Sequence, residues 1–83
     1  MQTGTVTHIS PRKGMFVLQL GDGGDFVVFE NLSSTDIAVG DQIGGRLDAL
    51  GGEQLLHVGH GEVFHAYGQS GPSSLKACLL LIG

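Results

Sequence analysis

Glycine recurs along this chain at intervals that leave room for short strands and for little else. Fifteen of the 83 residues are glycine, against a usual share of about 7%. The segments between them are short runs rich in Val, Phe, Leu and Ile. Glycine inside a strand or helix costs backbone entropy, whereas in a turn it supplies positive φ without steric penalty. The pattern predicts a turn-rich β protein. Residues 4–29, GTVTHISPRKGMFVLQLGDGGDFVVF, show it most clearly, as three short strands joined by two turns. In the first turn, Ser10-Pro11-Arg12-Lys13-Gly14, Pro presets φ and Gly accepts positive φ. In the second, Gly21-Asp22-Gly23-Gly24, a hairpin loop needs at least one residue at positive φ.

Alternation then assigns faces. In the second strand, residues 15–20, Gln19 marks the wet side. Met15, Val17 and Gln19 therefore point one way and Phe16, Leu18 and Leu20 the other. In the third strand Glu30 sets the phase, so Phe26 and Val28 share its accessible face while Val27 and Phe29 point inward. A first strand is expected over residues 3–9. A fourth opens at Gly40-Asp41 and runs to about residue 49, and Gly51-Gly52 turns into a fifth over 54–58. Gly59-His60-Gly61 separates this from a sixth over 62–67, with Leu56, Val58 and Phe64 inward and His57 and His65 outward. Ser33-Ser34-Thr35-Asp36 suits the cap of a single helical turn, too short to stand as an element.

Five or six short strands in so few residues favour a closed barrel, which also removes exposed sheet edges. The expectation is an all-β barrel over residues 1–70 with an apolar appendage over 71–83. Gly71-Pro72-Ser73-Ser74 reads as a helix start, with Ser as the cap and Leu75–Ile82 as two helical turns. A strand is the alternative, because Leu79-Leu80-Leu81-Ile82 has no clear period.

The length allows one domain, and a chain this short buries only about 60% of its unfolded surface. Eight acids face four bases, Arg12, Lys13, Arg46 and Lys76, for a formal charge of −4. Phosphate binding depends largely on Lys and Arg, so the ceiling on nucleic-acid affinity is low. Only Arg12-Lys13 is a basic pair. The single Cys78 permits no internal disulfide, which suits a reducing compartment. No basic-then-apolar start marks a secretory signal, and the apolar run 77–82 is far shorter than the ~20 residues of a membrane span. Cys78 is also not fourth from the end, as a prenylation signal requires. The chain reads as cytoplasmic, with no membrane partner.

Gly4-Thr5-Val6, Lys13-Gly14, Phe26-Val27-Val28-Phe29 and Gly40-Asp41-Gln42-Ile43 resemble, in order and spacing, the motifs of a degenerate cold-shock-type OB-fold domain. The resemblance covers roughly residues 3–47. It implies an OB-like barrel and single-stranded nucleic-acid binding through His8, Arg12, Lys13, Met15, Val17, Phe26 and Val28. The family stacks bases on aromatic rings, each worth about 1–3 kcal/mol. Here only Phe26 and Phe29 keep an aromatic at those positions. His8 stands where Trp is usual, Met15 and Val17 where Phe or Tyr are, and Val28 where His is. Phe16 fills a position that the family usually leaves as Gly.

Other candidates reduce to simpler readings. Gly23-Gly24-Asp25-Phe26 matches part of a nucleotide-cyclase signature, but the chain is too short for that domain and the second acid is missing. His57, His60 and His65, with Glu62 between, suggest a zinc set; the competing reading is surface histidines on a hairpin centred at His60, with His57 opposite Val63 and His65 opposite Leu55. Cys78 lies in an apolar run that suits a packing residue rather than a nucleophile. No acid pair, Ser-His-Asp set or phosphate loop is visible, so neither an enzyme nor a cofactor is expected. Two functions stay open: a weak single-stranded nucleic-acid binder, or a protein-interaction or self-association module. The apolar segment Leu75–Ile82 is expected to pack on its own barrel or to form a homodimer contact.

Overall fold

The alternating runs form strands where their side chains can be shared between an interior and an outer face. The structure, a computed structural model, describes residues 2–21 and 23–83, and Met1 and Asp22 of the expected barrel and hairpin loop lie outside the described residues. Among the described residues the strands are β1 (Gln2–Ser10), β2 (Met15–Leu20), β3 (Phe26–Asn31), β4 (Gln42–Gly45), β5 (Gly51–His57) and β6 (Glu62–Gly68), followed by helix α1 (Leu75–Ile82). The strands close into an antiparallel barrel in the order β1-β2-β3-β6-β5-β4. Two three-stranded meanders are thus joined by residues 32–41, which carry the chain from β3 to a position beside β1. The expected turn glycines take positive φ, 66° at Gly14 and 57° at Gly21.

The interior is filled as the alternation of β2 and β3 requires. Phe16, Leu18, Val27 and Phe29 are buried with Val6, Ile43, Leu47, Leu55, Phe64 and Ala66. The Phe16 ring centroid lies 6.3 Å from that of Phe29 and 6.3 Å from that of Phe64, within the range of favourable aromatic pairs. A bulge at Thr7 shifts the β1 register between Val6↔Leu18 and His8↔Val17. The extra residue lets both Val6 and Ile9 pack on the core while His8 faces outward beside Val17.

Several expectations are corrected. Val17 and Val28 do point away from the barrel interior, but both are fully buried. They form a second apolar cluster with Cys78 and Ile82, edged by Met15, Phe26 and Leu75. Alternation determines the direction of a side chain and says nothing of what lies above it; here α1 lies above it. Residues 69–73 bring the chain there as a strap along β3. Gln69 N–H donates to the Val28 carbonyl at 2.9 Å, and Phe26 and Ser73 exchange backbone bonds at 2.8 and 2.9 Å. Val28 N–H donates to Ser70 Oγ at 3.2 Å. The appendage is a helix capped by Ser74, whose Oγ accepts from Ala77 N–H at 3.1 Å.

The second correction concerns the β5–β6 hairpin. Gly51-Gly52 belong to β5 rather than to a turn. The register is Gln54↔His65, Leu55↔Phe64, Leu56↔Val63 and His57↔Glu62, one residue away from expectation. Leu55 and His57 are therefore buried, while Leu56 is half-buried and Val58 is 46% exposed. Phe64 inward and His65 outward hold as expected. A one-residue slip exchanges the faces of a strand, and the slip here places a polar ring where a polar partner awaits it. β4 is also shorter than expected, with residues 46–50 folding back as a connection that carries Leu47 into the core. The segment 33–36 forms no helical turn; Asn31 ties it instead, donating from Nδ2 to the Thr35 carbonyl at 2.7 Å and accepting from Ser33 N–H at 3.1 Å.

Candidate functional site

The seven residues expected to touch nucleic acid fall on one region, the β1–β2 turn and the outer face of β1–β2–β3, but they differ in access. Val17 and Val28 are closed off beneath α1. Met15 and Phe26 are half-buried at the margin of that cluster. His8 is half-buried on β1, with Nδ1 3.0 Å from Thr7 Oγ1. Arg12 and Lys13 are exposed in the turn. Lys13 is already engaged: its Nζ donates to the Leu81 carbonyl at 3.2 Å, closing the last turn of α1. A cation there also complements the negative end of the helix. Arg12 is left as the turn's outward charge.

Around this turn the surface is concave. Cavities of about 260, 390 and 450 Å³ adjoin one another and share Ser10. The first is floored by Ile9, Met15, Phe16 and Ile37, with Asp36 among the polar residues lining it. The other two lie between Arg12 and the helix end at Ile82 and Gly83.

Helix α1 presents a second surface. Its inward side chains are Leu75, Cys78 and Ile82. Seven of its eight residues are apolar, so three leucines have no place on that side. Leu79, Leu80 and Leu81 are exposed at 37%, 75% and 38%. The segment thus packs on its own barrel and still offers an apolar exterior. Cys78 is 1% exposed, and its polar neighbour is the Ser73 hydroxyl at 3.5 Å. That environment suits the packing role expected of it.

Of the three hairpin histidines the fold brings only two together. His57 Nε2 lies 2.8 Å from Asp41 Oδ2, and its Nδ1 accepts the His60 backbone N–H at 3.2 Å. The His60 ring stacks on His57 at 3.9 Å with planes 7° apart. His65 is exposed, opposite Gln54 and three residue pairs along the ladder. Among the described residues no group of three His, Cys, Asp or Glu side chains could hold a metal ion. The Asp41 carboxyl is held below its usual range, first by the Ala38 backbone N–H and then by the His57 bond. Sequence reasoning missed this pair. The available signal was Asp41 at the mouth of β4, since β4 is the strand that pairs with β5.

Among the described residues no helix is long and apolar enough to cross a membrane. No protein-family model matches this chain, and no curated protein or solved structure is significantly similar to it.

Proposed function

We propose that this chain is a non-catalytic, OB-like interaction module that associates through protein surface, its own or a partner's, at the outer side of α1. One observation carries the reading. The helix that buries Val17 and Val28, where an OB-fold of the cold-shock type would stack bases, turns Leu79, Leu80 and Leu81 outward. The scarcity of basic residues agrees with it. The barrel has one strand more than the five of an OB-fold, so the likeness rests on the β1–β2–β3 meander and its motif spacing.

An eight-residue helix is about 12 Å long, and its outer side offers less than the roughly 800 Å² per partner of a stable complex. Self-association through it is therefore weak and concentration-dependent. Sedimentation of the full chain from about 10 μM to about 1 mM tests this, with mass rising across a range typical of weak contacts. Leu80→Glu should hold the chain monomeric and leave its stability unchanged. A wild-type mass that stays monomeric throughout counts against self-association.

The second reading, weak single-stranded nucleic-acid binding, is favoured by Arg12 standing exposed in the turn that joins the strands of His8 and Met15. With Lys13 engaged at Leu81, few phosphates can be neutralised. The salt dependence should be shallow, with a slope near ~0.7 per phosphate. Oligonucleotide addition at low salt should then move the amides of residues 8–15 and spare 76–81. Concentration-dependent association does the reverse.

A further inference from the structure

The tip of the β5–β6 hairpin is held by a buried histidine that uses both ring nitrogens. Nδ1 of His57 accepts from His60 N–H, so it carries no proton, and the neutral ring donates from Nε2 to Asp41 Oδ2. The His60 ring lies flat on the same imidazole. The turn is closed beneath them by Gly61 N–H, which donates to the His57 carbonyl at 2.9 Å and the Val58 carbonyl at 3.3 Å.

We propose that the His60 backbone N–H is a proton-operated latch in the 58–61 turn, shut on His57 Nδ1 while the ring is neutral and released when a proton occupies Nδ1. The proton comes from solvent and takes the lone pair that now accepts the His60 N–H. Two donors then face each other, and the His60 amide must find water instead. If His60 is also charged, two imidazolium rings stacked at 3.9 Å repel.

The charged and titratable groups around His57 are Asp41, from the connection before β4, Glu62, its cross-strand partner on β6, and His60, from the turn. β4 places Ile43 opposite and adds no charge. The Asp41 carboxyl, held below its usual range by Ala38 N–H and by His57, stays ionised where imidazoles change charge. The Nε2 bond becomes charge-assisted on protonation, so the ring stays anchored to the β4 side. Only the His60 amide lets go, while Gly61 N–H keeps its bonds to the His57 and Val58 carbonyls.

NMR of the full chain between about pH 8 and about pH 5 tests the latch, since imidazoles ordinarily change charge in that range. Ring-nitrogen spectra should show His57 as the Nε2–H tautomer at high pH. The His60 amide should shift, and its solvent exchange should rise about tenfold beyond the intrinsic pH effect, with the midpoint of the His57 ring. His60→Ala keeps the backbone donor and should keep the response. His57→Asn can accept at the Nδ1 position without titrating and should abolish it. An Nδ1–H tautomer at high pH, a His60 amide that ignores the His57 titration, or a response lost in His60→Ala overturns the proposal. Wild type and His60→Ala decide the matter even if His57→Asn does not fold.

Discussion

Val17 lies opposite Val28 in the β2–β3 ladder, and both are completely buried although neither points into the barrel. The domain therefore has two apolar layers, one inside the barrel and one between its outer face and α1. The second layer depends on a strap of backbone bonds along β3 and on the Lys13 contact with Leu81. The outer face of β2 and β3 is therefore covered rather than open.

Both layers should contribute to stability. Phe16→Ala empties the centre of the Phe16–Phe29–Phe64 cluster and should cost about 3–5 kcal/mol. Val17→Ala removes two buried carbons beneath α1 and should cost about 1.5–3 kcal/mol. Urea titration of both variants checks this. A Val17→Ala midpoint equal to wild type would mean that the helix does not cover the strand in solution.

The two hairpin histidines on opposite faces should respond differently. His57→Ala leaves the Asp41 carboxylate and the His60 N–H without their partner and should cost about 1–3 kcal/mol. His65→Ala, on the exposed face, should stay within about 0.5 kcal/mol. Equal losses in the same denaturant series would contradict the β5 register.

Acid stability should carry the mark of Asp41. Its folded carboxyl titrates below the usual value of 3.8, so the unfolded chain takes up the proton first as pH falls. The contribution is fully present above 3.8 and is lost as pH drops through the lower folded value. Asp41→Asn should flatten that part of the stability–pH curve. Denaturation midpoints from about pH 6 to about pH 2 measure it, and a variant as acid-sensitive as wild type would exclude the role.

Gly68 and Gly52 stand near each other in the β5–β6 ladder but differ in space. A Cβ on Gly68 would collide with the Ala49 carbonyl oxygen and crowd Leu50, whereas one on Gly52 meets nothing within 4 Å. Gly68→Ala should cost about 1–3 kcal/mol by forcing the 46–50 connection away, and Gly52→Ala should stay within about 0.5 kcal/mol. Thermal unfolding of the two variants tests it.

Much of the barrel was legible because the signals that specify it are local. Gln19 and Glu30 mark the wet sides of β2 and β3, and period-2 alternation then assigns Phe16, Leu18, Val27 and Phe29 to the core. Proline and glycine in the first turn and glycine in the second supply the backbone angles those turns need. Ser74 likewise caps α1 through a side chain only three residues from the amide it binds.

The rest needed the tertiary structure because its causes are distant in sequence. Gly51-Gly52-Glu53-Gln54 has no apolar residue to set a phase, and Leu55 and Leu56 are adjacent, so alternation alone cannot choose which faces inward. The choice falls to contacts from elsewhere: Phe64 across the ladder and Asp41, 16 residues before His57. In the same way, Val17 and Val28 read as accessible until a helix about fifty to sixty residues on covers them. Neighbours along the chain are enough to specify the first meander and the alternation of β2 and β3. What covers the outer face, and which polar group meets the buried imidazole, depended on closure of the barrel, which brings remote residues within hydrogen-bonding and van der Waals reach.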